Sequence, residues 1–323
     1  MSKPLISIII PVFNGEEYLT KCFSVLDNQL YDNLEIIFIE NNSKDKSAEI
    51  IEKYRQQKNN VELFFCEKQG PGAARNFGMK KSKGDYFSFL DVDDEIMPEK
   101  FKIQLKAFKK NPSASMVVGQ TVKVYANGKR YNPNENKLSL GLNRPPEMGF
   151  FWLKHFQHNP HVSGVLLKRE IIDREIYFPE ELFFGEDVAF FVKVGLFADT
   201  VLIDKQVSIY NRHNNSSVSI SNEKISINER YLQFFRKFAF PYFSEIKNFS
   251  HKKNTLKISY YMSFKLIMKL IFMKNQNKYR KLSDFDSIKY PNYYYCFYIL
   301  FKIFPFKYAN YIFEIFENKN LKF

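Results

Sequence analysis

The chain has 323 residues, enough for one large domain or two ordinary ones. Its composition is 45% hydrophobic and 26% charged, as in soluble globular proteins, but aromatics reach 17% and the formal charge is +13. A balance of that sign favours anionic partners (nucleic acid, an acidic membrane surface, phosphorylated substrates), and no run approaches the roughly 18 apolar residues of a membrane span.

The N-terminal apolar run, LISIII, is too short for a secretory signal and lacks a small-residue cleavage site. Cys22, Cys66 and Cys296 are odd in number and widely spaced, which predicts unpaired thiols in a reducing, intracellular setting.

Strand and helix signals alternate over the first 95 residues. Leu5–Ile10 is a buried strand ended by Pro11, and Glu16–Leu30 has helical spacing of apolar residues. Leu34–Ile39 is a second buried strand, followed by capping residues at Asn41, Asn42 and Ser43 and a helix from about Lys46 to Gln56. Val61–Phe65 is a third strand; Gly70-Pro71-Gly72 opens a helix to about Lys81; Tyr86–Leu90 is a fourth strand that runs into Asp91-Val92-Asp93-Asp94. Such alternation predicts an α/β fold with a mostly parallel sheet and ligands at the strands' carboxyl ends.

From 96 to about 219 the spacing predicts a helix at Pro98–Lys110, strands at Met116–Val118, Val122–Tyr125, Val162–Leu167 and Val201–Tyr210, and a helix at about Asp187–Phe197. Ala126–Arg144 reads as a polar loop. Beyond about Ser221 the chain becomes helical, dense in Lys, Phe and Tyr, and free of Gly, which places a domain boundary there.

Four clusters carry chemistry. The carboxylates of Asp91, Asp93 and Asp94 follow a hydrophobic strand, where hard oxygen ligands suit Mg²⁺ or Mn²⁺. Arg75, in GPGAARNFG, adds bidentate capacity near a Gly-flanked helix N-terminus, an anion-binding arrangement. Glu186 and Asp187 open an apolar helix, and one of them can take a proton from an attacking hydroxyl. Arg212 and His213 close a strand with a cation and an imidazole; His155, His158, His161 and His251 show no ligand spacing and read as structural.

Together, ISIIIPVFNGEEYLTKCFSVLDNQLYDNLEIIFIENNSKDKS, GPGAARNFG, GDYFSFLDVDD, FGEDVAFF and YNRHNNSSVS resemble bacterial glycosyltransferase family 2 over about the first 220 residues. The resemblance implies a GT-A fold, Rossmann-like, with a mostly parallel central sheet flanked by helices and a C-terminal mainly helical region. It implies a catalytic domain over 1–220 (1–95 the nucleotide half, 96–220 the acceptor half) and an unrecognised region over 221–323. The implied activity is inverting, metal-assisted transfer of a hexosyl or N-acetylhexosaminyl group from a nucleoside diphosphate sugar, with UDP expected, to a bacterial surface glycan such as lipopolysaccharide, lipooligosaccharide or capsule.

The same resemblance implies residue roles. Pro11, Val12, Phe13 and Asn41 hold the base, with Arg75, Asp91 and Val92 also on the nucleotide. Asp93 and His213 hold Mn²⁺ or Mg²⁺, Arg212 the pyrophosphate, Asp187 is the general base, and Glu186 orients acceptor or sugar. At Glu40-Asn41-Asn42-Ser43 the chain departs from the two acids before Gly-Ser usual in the family. An Asn41 amide in one orientation suits uracil; flipped, it suits cytosine.

Two alternatives are weaker. A nucleotidyltransferase wants a basic Gly-rich loop after the first strand, where this chain has PVFNGEEYL. A nucleic-acid-binding protein wants aromatics interleaved with cations on an exposed sheet, and no nucleic acid partner is expected.

The charge is unevenly placed. Residues 1–219 hold 29 basic and 28 acidic side chains, whereas 220–323 hold 19 and 7 together with 28 Phe and Tyr. That pattern predicts helices lying on an anionic leaflet, on the cytoplasmic face of the inner membrane, near a lipid-linked acceptor; a helical core or homo-oligomer interface is the other reading.

Overall fold

The computed structural model describes residues 3–132, 139–182, 184–212, 227–245, 250–272, 291 and 294. The chain separates into two compact units, Met1–Ser216 and Ser217–Phe323.

In the first unit β1 (Ile6–Val12), α1 (Glu16–Asp27), β2 (Leu34–Glu40), α2 (Ser47–Arg55), β3 (Val61–Phe65), α3 (Pro71–Lys81) and β4 (Tyr86–Phe89) alternate. Then come β5 (Glu95–Ile96), α4 (Lys100–Lys110), β6 (Met116–Tyr125), β7 (Arg130–Tyr131), β8 (Gly141–Asn143), α5 (Glu147–Lys154), β9 (Val165–Lys168), α6 (Glu170–Asp173), α7 (Glu186–Phe197) and β10 (Thr200–Arg212). The sheet order is β3-β2-β1-β4-β9-β6-β10-β5, with β7 on β6 and β8 on β10. β1 to β4 are mutually parallel, as are β6 and β10; β9 runs antiparallel between β4 and β6. This is the mixed α/β sheet with flanking helices expected of a GT-A fold. Apolar side chains of β1 and β2, including Ile8, Ile10, Ile36 and Phe38, are buried with Leu19 and Cys22 of α1 and Phe101 and Phe108 of α4 in the main core.

Several boundaries differ from the sequence expectation for physical reasons. β1 does not stop at Pro11 but runs through it, pairing Pro11 with Ile39. The odd residues of β1 face β4, and that pairing ends at Ile9, so no strand there needs the missing N–H. β6 is one strand rather than two, because Gly119 keeps it continuous where an added Cβ would lie 2.5 Å from Val207. The segment read as the polar loop 126–144 contributes two short strands, β7 and β8. The strand expected from Val162 begins at Val165, after a single 3₁₀ turn over Val162–Gly164.

That turn is held from below by a buried lysine. Lys100 Nζ donates to the carbonyls of Ser163 and Val165, both at 2.9 Å. Burial pushes its pKa down to about 7, and a neutral amine's two N–H groups match those two acceptors.

Described helices of the second unit span Ile227–Phe234, Phe240–Glu245 and Lys252–Phe272, with a π-helical turn at Phe235–Ala239. Phe234, Phe235, Phe238, Phe243, Phe264 and Tyr294 are buried, and rings such as Phe238 and Tyr242 stack at 5.2 Å. These aromatics build a core; most of the aromatic stretch 290–306 on which the interfacial reading rests lies outside the described residues. No helix among the described residues is long and apolar enough to cross a membrane.

Candidate active site

The carboxyl ends of β1, β2 and β4 bring the first cluster together. Val12 is buried and Phe13, just past β1, is 51% exposed. The loops after β1 and β2 are laced: Asn14 N–H donates to Ser43 Oγ at 3.0 Å, and Lys44 N–H to Asn14 Oδ1 at 2.8 Å. Asn42 has φ +68°, so an Asn fills the left-handed position where the family usually has Gly.

Asn41 is nearly inaccessible and its amide is committed. Nδ2 donates to the carbonyls of Cys66 (2.9 Å) and Lys68 (2.8 Å), and Oδ1 accepts from Gly70 N–H at 2.8 Å. The flipped orientation would set Nδ2 against the Gly70 N–H and Oδ1 against two carbonyls. Asn41 thus keeps one acceptor lone pair and no donor, and it pins the approach to α3.

α3 starts at Gly70 (φ +134°) with Pro71 at its first position and points Arg75 inward. The helix lies close against the segment before α7: Asn76 Nδ2 donates to Phe178 O (2.8 Å) and Glu180 Oε1 (2.9 Å), and Phe178 N–H donates back to Asn76 Oδ1 (2.9 Å). Gly72 permits this approach, since a Cβ there would meet Pro179 O at 3.2 Å.

Arg75 is the hub. Its side chain is 5% exposed, with one nitrogen 2.8 Å from Asp91 Oδ1 and another 2.9 Å from Glu186 Oε1, while its face lies over Phe178. Burial works against ionising Asp91, but Arg75 and His161 outweigh it and hold the carboxyl below its usual range. Glu186 is pushed up to about 7 by burial and by Asp187, against the pull of Arg75. Asp187 is also raised, by burial first; Arg75 and the Val188 N–H bonded to its Oδ1 (2.8 Å) oppose the shift. Two adjacent carboxyls with raised pKa near one guanidinium mark the helix start as a candidate for acid–base chemistry.

The turn after β4 gives Asp94, a member of the acidic run to which the resemblance assigned no role of its own, a place at the site. Asp94 is 1% exposed, accepts from Ser163 Oγ at 2.9 Å and Asn211 N–H at 3.2 Å, and lies 3.4 Å from His161 Nδ1. Burial and the charges of Asp93 and Asp91 push its pKa well up. His161, read from the sequence as structural, stacks on Tyr210 with centroids 4.5 Å apart, and burial lowers it to about 4, leaving a neutral imidazole at pH 7. Spacing could not reveal the pair, because Asp94 and His161 meet only through the sheet.

Asp91, Asp94 and His161 can each offer one ligand atom within 4.8 Å of the others. Two hard oxygens, an imidazole and mutually repelling carboxylates fit a divalent cation such as Mn²⁺ or Mg²⁺. The gathered set includes Asp91 rather than Asp93; the Asp93 carbonyl accepts from Asn211 Nδ2 at 2.9 Å. His213 lies outside the described residues. Arg212 ends β10 with its guanidinium 5.6 Å over the ring of Tyr125. Val92 is half-buried, and Gly15 packs against it.

The sequence and the fold match known proteins. Residues 7–175 fit the family model described as Glycosyl transferase family 2. An uncharacterized glycosyltransferase of Haemophilus influenzae is 35% identical over 231 residues, covering 71% of this chain and 84% of the relative. EpsJ of Bacillus subtilis, an uncharacterized glycosyltransferase, is 27% identical over 73% of this chain and 70% of its own length. Among solved structures, S. aureus TarS residues 1–349 superimpose with a TM-score of 0.62 at 21% identity, over 85% of this chain and 77% of that one. A mannosyltransferase of Pyrobaculum calidifontis, in complex with GDP-Man and Mn²⁺, gives 0.54 at 12% identity, over 94% and 85%. The chain belongs to glycosyltransferase family 2, and it is a glycosyltransferase.

Proposed function

We propose that the enzyme transfers a hexosyl or N-acetylhexosaminyl group from a UDP-sugar, with inversion, to a hydroxyl of a bacterial surface glycan such as lipopolysaccharide, lipooligosaccharide or capsule. The observation that carries this reading is the Arg75 bridge, which joins Asp91 on the donor side to Glu186 beside the acidic helix start. In a single displacement the acceptor oxygen bonds to the anomeric carbon as the bond to the diphosphate breaks. Asp187 takes the hydroxyl proton, and the diphosphate leaves with the electron pair. Charge on that leaving group is what a divalent cation at the Asp91–Asp94 turn supplies against when bound. Arg212, with His213, serves the pyrophosphate. Glu186, fixed to Arg75, positions this guanidinium rather than the acceptor or sugar.

The base preference follows from Asn41. Its free lone pair can accept the N3–H of uracil, whereas cytosine N3 requires a donor that Asn41 no longer has. TarS has been solved with UDP-GlcNAc and with UDP, which supports the same base here. Calorimetry with Mn²⁺ is expected to show UDP binding at least about tenfold tighter than CDP, one hydrogen bond's worth. Equal or tighter CDP binding overturns the assignment, and absence of UDP-sugar hydrolysis or transfer counts against the reaction.

The basic balance of residues 220–323 supports peripheral attachment to an anionic leaflet near a lipid-linked acceptor. The full chain is expected to sediment with phosphatidylglycerol vesicles and not with phosphatidylcholine, and to be released by salt. Equal binding to both would remove the electrostatic basis of this reading.

A further inference from the structure

The acceptor side has a surface of its own. Lys123 of β6 stands opposite Tyr131 of β7 and opposite Tyr210 of β10, so the three side chains share one face in the order ring, cation, ring. Two residues along, Tyr125 and Arg212 face each other and repeat the pairing on that face. The Lys123 ammonium lies 5.8 Å from the Tyr210 centroid, and His161 covers Tyr210 by stacking. Tyr131 is 50% exposed, and Lys123, Tyr125, Tyr210 and Arg212 are half-buried.

Lys123 is half-buried, and among the described residues no carboxylate pairs with it. Among the described residues it makes a cation–π contact but no salt bridge and no hydrogen bond. A ring holds an ammonium in place without consuming its N–H donors. A three-donor cation partly removed from water, with no anion paired to it among the described residues, is a binding group for one. Burial and the charge of Arg212 lower its pKa and Asp187 opposes the shift, so the charge of Asp187 is felt at the ammonium. Flanking phenol rings suit the C–H faces of a sugar, and an apolar body with a polar tip suits a wet groove.

We propose that Lys123, between Tyr131 and Tyr210, is an acceptor-binding residue, and that the acceptor carries an anionic group (a phosphate or carboxylate) close to the hydroxyl that attacks. Arg212, at the strand end, remains with the donor's diphosphate, so the two cations divide the two substrates. This rests on reading Asp187 as the base, and it adds the charge class of the acceptor.

The test uses the full chain with Mn²⁺, with and without saturating UDP, and three probes: methyl glucoside, glucose 6-phosphate and glucuronate. Binding is followed by saturation-transfer NMR. The wild type is expected to bind both anionic probes about tenfold tighter than the neutral one. Lys123→Met removes that preference, Lys123→Arg restores it, and UDP affinity changes less than about twofold in either.

Equal binding of charged and neutral probes by the wild type overturns the proposal, whatever the variants do. Loss of UDP affinity in Lys123→Met with the probe preference intact also overturns it, by assigning Lys123 to the donor diphosphate. Failure of the donor reading is visible separately, as absence of UDP binding in the wild type, and the probes measured without UDP still report on Lys123.

Discussion

Asp187→Asn is expected to lower sugar transfer by about 10²- to 10⁴-fold, the range for loss of a general base, while UDP affinity changes less than about threefold. The amide keeps the size and the oxygen that accepts the Val188 N–H, so the helix start is preserved. What it loses is the ability to take a proton from the acceptor. Single-turnover transfer beside calorimetric UDP binding separates the two effects. A variant that loses UDP binding in proportion to rate would place Asp187 on the donor instead. With Asp187 as the base, its raised pKa is expected to move the acid limb of the rate upward from that of an ordinary aspartate, because the base must be ionised to act.

Arg75→Met has the largest expected effect on stability. The methionine fits the apolar space under Phe178 but leaves Asp91 and Glu186 facing each other without their cation. Removing one partner of a buried ionic cluster costs about 3–5 kcal/mol, read from denaturant unfolding. In the wild type Arg75 depresses Asp91, a contribution that is present at neutral pH and lost as pH falls through the folded pKa. The gap between wild type and variant should therefore be widest above about pH 7, narrow as Glu186 takes up its proton, and close only below the ordinary aspartate range, where Asp91 is protonated as well. Adding Glu186→Gln to Arg75→Met should recover part of the loss. Strict additivity of the two substitutions would show that the pair is not coupled.

The nucleotide half was legible because its strands are apolar runs between polar helices, and a parallel sheet buries both faces of its strands. Elements of two or three residues, such as β7 and β8, have no periodicity to read; they exist because β6 and β10 offer them an open edge. α5 was not foreseen either: it lies among Pro145, Pro146 and aromatic residues, and its anchor is Gly149 against Gly195 of α7, a contact made across 46 positions. The acidic motifs gave the right neighbourhood for the site. They did not give Asp94 with His161, or Asn41's engagement with the backbone, because those contacts come from sheet order and loop packing rather than spacing. Lys123 did leave a signal, a charged residue alternating with apolar ones in a strand that ends at the site.

β9 is the strand that runs the other way, and it enters the sheet at Val165 from the edge where β4 and β6 finish. It is the beginning of this strand, not its end, that faces substrate, so His161 and Ser163 arrive at the site on incoming chain. The stretch that precedes them can change in length without shifting β9, whose position is clamped by its two neighbours and by the side chain of Lys100. A chain built this way can exchange the surface that precedes β9 while the carboxylates of the candidate site stay where they are.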